Sequence, residues 1–162
     1  MKQFLWEGNK RYNDFSGHFR MKFNGRVQKI SIDAGFTCPN RDGSKGVGGC
    51  SYCNNQTFSH GYCNLEQSVT TQLDEGITFF SRKYNSMKYL AYFQSYSNTY
   101  APLEILKGLY TEALSHPKVV GLVIATRPDC VTSEILDYLQ HLSVNYYVML
   151  EFGIESHLDS SL

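Results

Sequence analysis

The chain has 162 residues, of which 42% are hydrophobic and 14% aromatic, and its formal net charge is zero. This length and composition suit one globular domain with a packed core. No apolar run approaches the roughly 20 residues of a membrane-spanning helix, and the first residues lack the apolar core of a secretory signal. We therefore expect a cytoplasmic protein with no membrane partner.

The charges are distributed unevenly along the chain. Residues 1–50 carry nine Lys and Arg against four Asp and Glu, whereas the remainder carries six against eleven. This asymmetry permits an anionic partner near the N-terminal half. The basic residues are scattered and form no dense run, so solvated surface charge is the favoured interpretation.

Residues 1–26 are predicted to form an N-terminal extension to a core that covers 27–162. The extension contains aromatic residues at irregular intervals, namely Trp6, Tyr12, Phe15, Phe19 and Phe23. Their spacing matches neither a helix nor a strand. We expect these side chains to anchor the extension to the core.

Strand and helix patterns alternate through the core. Runs of β-branched and apolar residues predict strands at 27–34, 88–94, 119–125 and 146–153. Helical spacing predicts helices over 68–84, from Pro102 to Pro117, and after a cap at Thr132 or Ser133. The order βαβαβαβ predicts an α/β fold with a parallel sheet, in which ligand groups gather at the carboxyl ends of the strands.

Three cysteines follow the first predicted strand, in the stretch Cys-Pro-Asn-Arg-Asp-Gly-Ser-Lys-Gly-Val-Gly-Gly-Cys-Ser-Tyr-Cys. Cys50 and Cys53 are close enough for one turn to present two thiolates, and Cys38 closes the set. Thiolates are soft ligands for iron–sulfur clusters and zinc. We expect the glycines at 43, 46, 48 and 49 to fold the loop tightly and to direct N–H groups at cluster sulfurs. The loop thus predicts a metal-cluster site.

A structural zinc site that uses Cys63 as a fourth ligand is the alternative, and it would make the chain a non-catalytic binding module. Structural zinc requires four closed protein ligands. Such sites usually contain two close cysteine pairs, whereas Cys38 and Cys63 are both isolated, so the spacing favours the three-cysteine cluster. The total of five cysteines is odd and argues against a disulfide framework, and Cys130 has no assigned role.

The cysteine loop resembles that of the radical S-adenosylmethionine (radical SAM) enzymes. In that superfamily three cysteines hold a [4Fe–4S] cluster after the first strand, and the residue before the last cysteine is commonly aromatic, as Tyr52 is here. The long gap between Cys38 and Cys50 resembles the spacing in the branch related to the catalytic subunit of Elongator and its small bacterial relatives. Further support comes from the stretches at 92–102, 125–130 and 150–156.

The resemblance implies a partial (β/α) TIM-like barrel. The superfamily's core typically has six βα units, whereas four strands are predicted before the sequence stops at Leu162. We therefore expect an N-terminal fragment, truncated after about four βα units. Its last predicted strand would expose unpaired backbone groups, which favours association or instability when the chain is expressed alone.

The resemblance also implies the chemistry. A cluster held by Cys38, Cys50 and Cys53 leaves one iron open to bind S-adenosylmethionine. One-electron reduction then cleaves the sulfonium C–S bond and gives a 5′-deoxyadenosyl radical that abstracts hydrogen from a substrate. The implied partners are a one-electron donor of the flavodoxin or ferredoxin type and an RNA substrate, such as a tRNA with a wobble uridine. The basic N-terminal segment is compatible with RNA.

Polar residues at the strand ends are the candidates that this resemblance gives for binding S-adenosylmethionine. The set is Gln94, Ser95, Asn98, Thr126, Arg127 and Glu151, together with Tyr52 of the cysteine loop. The amides and the hydroxyl at 94, 95 and 98 would bond the methionine group, unless they only cap the strand end. The aromatic residues near them are more consistent with packing than with stacking on a base.

Two of the charged candidates have open alternatives. Arg127 would bind a carboxylate bidentately or pair with Asp129. Glu151 and Glu155 lie on one face of the fourth predicted strand, and one of them would accept hydrogen bonds from the ribose hydroxyls.

Overall fold

The strands form one four-stranded parallel sheet in the order β1-β2-β3-β4. The computed structural model describes residues 11–54, 57, 59–82 and 87–154. The strands are β1 (Val27–Ile32), β2 (Lys88–Phe93), β3 (Val119–Thr126) and β4 (Tyr147–Phe152). The helices are α1 (Phe15–Phe23), α2 (Val69–Ser81), α3 (Leu103–Ser115) and α4 (Ser133–Ser143). The predicted α/β class and the order βαβαβαβ are confirmed.

The two faces of the sheet carry separate apolar clusters. Residues of α2, α3 and α4 pack on one face around Ile30, Phe93 and Ile124, which are fully buried. On the opposite face, Phe19 of α1 packs against Leu90 and Val123. Successive residues of a strand point to opposite faces, so burial of both faces explains why β2 and β3 are nearly continuous apolar runs.

Local signals fix where the helices begin. The Ser68 hydroxyl accepts a hydrogen bond from the backbone N–H of Thr71, and the Thr132 hydroxyl accepts one from Ile135 at 3.3 Å. These caps satisfy backbone donors that lack a partner within the helix. Pro102 was predicted in the first turn of α3, but it occupies the N-cap, one residue before the helix begins at Leu103.

Helix α1 is the element that the sequence analysis missed. Phe15, Phe19 and Phe23 are spaced four residues apart, which places them on one helical face, but Tyr12 outside the helix hides this period. Their rings contact each other, with centroids 4.3 Å apart for Phe15 and Phe19. Asp14 caps the helix through the N–H of Gly17.

None of the helices in the described ranges combines the length and the apolar character needed to cross a bilayer.

Candidate functional site

A cavity of about 510 Å³ lies at the carboxyl end of the sheet, beneath the cysteine loop. Its volume falls in the range of sites that bind small molecules or cofactors. All three candidate metal ligands, Cys38, Cys50 and Cys53, contribute to its wall. Five of the seven candidate cofactor residues also line it, namely Tyr52, Gln94, Thr126, Arg127 and Glu151. The structure thus brings together residues from four separate parts of the chain.

The cysteine loop is held in shape by its own backbone. The N–H of Arg41 donates to Cys38 O at 2.8 Å, and the N–H of Gly49 donates to Asn40 O at 2.9 Å. The N–H groups of Gly43 and Gly46 also donate to carbonyl oxygens of the loop. The prediction that these three glycine N–H groups point at cluster sulfurs is therefore wrong, because the turns of the loop use them.

Two side chains donate to the cysteine sulfurs within this loop region. The Asn40 side chain donates from Nδ2 to Cys50 Sγ at 3.1 Å. Arg127 donates from Nη1 to Cys38 Sγ at 3.8 Å. Cys38 and Cys50 are half-buried and Cys53 is exposed, and none of the three forms a disulfide among the described residues. Hydrogen bonds of this kind stabilise negative charge on sulfur and orient it.

Cys63 lies apart from this cavity. Its thiol donates to Ser31 O at 3.3 Å, and burial raises its pKa. Zinc binds thiolates at about 2.3 Å, so its ligands must converge on one point. Within the ranges that the structure describes, no three His, Cys, Asp or Glu side chains are close enough to hold one metal ion. The alternative zinc site is therefore not assembled in this part of the chain.

Arg127 forms the structural pair that the sequence analysis left open. Its Nε and Nη2 donate to the two carboxylate oxygens of Asp129, both at 2.8 Å. Lys45, from the cysteine loop, contacts the same carboxylate. The hydrogen bond from Arg127 holds the pKa of Asp129 well below its usual range. The network therefore ties the cysteine loop to the end of β3.

The candidates after β2 occupy different environments. Gln94 lines the cavity, and its side chain makes no hydrogen bond with the part of the chain that the structure describes. Ser95 and Asn98 are 4% and 0% exposed and do not line the cavity. The Asn98 side chain donates to Ala125 O at 2.8 Å, so it links the segment after β2 to β3. Of these three candidates, Gln94 is therefore the one whose amide lies at the cavity.

Buried hydrogen bonds hold the segment after β2 in place. In one of them, the Tyr110 hydroxyl donates to the backbone oxygen of Asn98. We expect Tyr110→Phe to lower the free energy of unfolding by about 1–2 kcal/mol, because the buried carbonyl loses this donor. Urea denaturation measures the change. Tyr138→Phe is the matched control, since the buried Tyr138 hydroxyl has no partner within the described ranges. An equal loss in both variants would contradict this assignment.

Glu151 lies at the cavity and pairs with Lys29 of β1. The Lys29 ammonium sits 4.3 Å from the ring centroid of Tyr92 and 4.9 Å from that of Phe15. Burial, together with hydrogen bonding to Glu151, raises the pKa of Tyr92. The carboxylate is thus fixed on the face of the sheet that carries α1. Glu155, the other candidate on this strand, lies outside the described residues.

Thr126 also lies at the cavity, at the end of β3. Its hydroxyl shares a 2.6 Å hydrogen bond with Thr99 Oγ1, so it is already engaged within the protein.

Two further residues at the cavity were not singled out as site candidates. Tyr96 has a left-handed backbone with φ of 64°, which is rare for a residue with a side chain. The Arg41 guanidinium lies 4.6 Å from the centroid of its ring. The position of Arg41 between the cysteines was the signal available in the sequence. No feature of the sequence predicts the left-handed backbone of Tyr96.

The chain is similar to several curated proteins. It is 37% identical to the uncharacterised protein YtqA of Bacillus subtilis over 91% of this chain and 46% of that protein. It is 37% identical to protein YhcC of Escherichia coli over 94% of this chain and 48% of that protein. The uncharacterised protein MJ0486 of Methanocaldococcus jannaschii is 32% identical over 86% of this chain and 42% of that protein.

The chain therefore spans about half the length of the curated relatives it matches. No family model matches the chain. No solved structure gives a significant match.

Proposed function

We propose that the cavity binds a [4Fe–4S] cluster through Cys38, Cys50 and Cys53, and S-adenosylmethionine beside it. The observation that carries this proposal is that all three cysteines line one cavity at the carboxyl edge of a parallel sheet. The chain would then be part of a cytoplasmic radical SAM enzyme of the Elongator-like branch. Its four strands would belong to a partial (β/α) barrel.

The three cysteine thiols suit such a cluster. A [4Fe–4S] cube takes each cysteine on a different iron, so the three sulfurs need not converge as the ligands of one zinc ion must. When bound, the cluster would supply the electron that cleaves S-adenosylmethionine into methionine and a 5′-deoxyadenosyl radical. The hydrogen bonds from Asn40 and Arg127 would stabilise and orient the two sulfurs that receive them.

The other cavity residues supply recognition. The Gln94 amide can donate to a carboxylate and accept from an ammonium group, which are the two groups of the methionine moiety. The Glu151 carboxylate, held by Lys29, can accept hydrogen bonds from ribose hydroxyls. Arg127 keeps two of its donors on Asp129, so we assign it to the cysteine side of the cavity and not to the substrate carboxylate.

The partners follow from the same proposal. Tyr52 is 57% exposed and Cys53 is exposed, so this side of the cavity is open to a one-electron donor of the flavodoxin or ferredoxin type. For the substrate we propose RNA, such as a tRNA with a wobble uridine. The excess of basic residues in 1–50 would favour binding of such an anion.

Anaerobic reconstitution with iron and sulfide tests the proposal. We expect about four irons and four sulfides per chain, with a broad visible absorption that dithionite bleaches. Adding S-adenosylmethionine to the reduced protein should yield 5′-deoxyadenosine. A colourless protein that binds one zinc per chain under the same conditions would contradict the proposal. Reconstitution without nucleotide cleavage would retain the cluster and reject the radical chemistry.

A further inference from the structure

Arg127 is held beside a candidate cluster ligand by an ordered ionic network. The carboxylate of Asp129 binds two donors of the guanidinium and also the ammonium of Lys45. This arrangement leaves Nη1 to donate to Cys38 Sγ. Bidentate pairing with a carboxylate fixes the plane of a guanidinium, so Arg127 is oriented by Asp129 and not by the sulfur alone.

The charges of this network do not cancel. Arg127 and Lys45 are cations and Asp129 is the single anion that contacts both, which leaves a net charge of about one positive unit beside the Cys38 sulfur. The side chains of Arg127 and Asp129 are 28% and 32% exposed, whereas that of Lys45 is 54% exposed, so solvent screens the charge of Arg127 less than that of Lys45. Within the part of the chain that the structure describes, the side-chain hydrogen bond to Cys38 Sγ comes from Arg127.

We propose that Arg127 is a positioning residue that raises the reduction potential of a cluster bound through Cys38, and that Asp129 holds its guanidinium in place. This inference rests on the proposed function above. Reduction adds one electron to the cluster and makes it more negative. A hydrogen bond and a positive charge at a ligand sulfur stabilise that reduced state more than the oxidised state.

A purely mechanical role is the competing explanation, since the same network ties the cysteine loop to the end of β3. A purely mechanical role predicts an unchanged potential in any variant that still assembles the cluster. Two electrostatic explanations differ in what Asp129→Asn should do. If only the sum of charges matters, loss of this anion raises the potential of the cluster. If Asp129 orients the guanidinium, its loss lowers the potential, because Arg127 is no longer held against the sulfur.

A titration of the reconstituted protein with dithionite and redox mediators, followed by visible absorption or electron paramagnetic resonance, tests the inference. We expect Arg127→Gln to lower the equilibrium constant for one-electron reduction about tenfold, which is a fall of about 59 mV. Asp129→Asn should change the potential in the same direction. Arg127→Lys should recover part of the difference, because it keeps the charge but loses the bidentate geometry.

Arg41→Gln is the matched control. It removes the same charge from the wall of the same cavity, but its guanidinium is exposed and lies on the ring of Tyr96. The equilibrium constant for cluster reduction in this variant should stay within about twofold of that in the unchanged chain, because water screens the charge of Arg41. Equal falls in the Arg41 and Arg127 variants would overturn the role of the hydrogen bond.

Two measurements separate this inference from the proposed function. Iron and sulfide content should be the same in the unchanged chain and in the Arg127 and Asp129 variants. A normal cluster with an unchanged potential in Arg127→Gln overturns this inference and leaves the proposed function intact. Failure of the unchanged chain itself to assemble a reducible cluster overturns both.

Discussion

Replacing Cys38, Cys50 or Cys53 with serine should each abolish cluster assembly, whereas serine at Cys63 or Cys130 should leave the iron content unchanged. The first three cysteines line one cavity, and the other two do not. A hydroxyl is a far weaker ligand for iron than a thiolate, so each of the first three substitutions removes one attachment point. Iron and sulfide analysis after anaerobic reconstitution, with the visible spectrum, measures the outcome.

Cys63 and Cys130 are matched controls because they share the chemistry but not the location. Cys63 donates to Ser31 O, and a serine hydroxyl can make the same bond. Cys130 is buried beside the end of β3, and burial raises its pKa. Loss of metal from Cys63→Ser to the same extent as from Cys38→Ser would point to a four-cysteine site and reject the cluster.

Most of the fold was predictable because most of its elements carry a local signal. Strands β2, β3 and β4 are nearly continuous apolar runs, and Ser68 and Thr132 cap helices at the predicted positions. Helix α1 was missed because Phe19 is its only fully buried residue and Tyr12 breaks the pattern outside it. The existence and order of most elements follow from such patterns, whereas a short helix with one fully buried side chain leaves little trace in the sequence.

The residues that line the cavity were predictable in part, because the carboxyl ends of parallel strands meet at one edge of the sheet. The prediction could not tell which side chains at that edge face the cavity. Ser95 and Asn98 lie one and four residues after Gln94, yet both are buried and neither lines the cavity. The pairing of Lys29 with Glu151 joins residues 122 positions apart and depends on the curvature of the sheet. Such contacts arise from tertiary packing and have no local sequence signal.

Alanine at Gly121 should lower the free energy of unfolding by about 3 kcal/mol or more. A Cβ atom at this position would lie 2.0 Å from the backbone oxygen of Tyr147 and 2.7 Å from its Cβ. Gly121 pairs with Tyr147 at the start of the contact between β3 and β4, and the neighbouring register with β2 is irregular. Backbone atoms of a paired strand cannot yield as a flexible side chain can, so the two strands must separate locally.

Gly108→Ala provides the control for this substitution. Gly108 lies within α3, and an added Cβ would meet no atom within 4 Å. Because alanine is favoured over glycine inside a helix, the control should raise stability by up to about 1 kcal/mol. Denaturation with urea, followed by circular dichroism, measures both variants. A loss below about 1 kcal/mol in Gly121→Ala would contradict the tight contact between the strands. A large loss would show that the close approach of β4 to β3 supports the sheet that places Glu151 at the cavity.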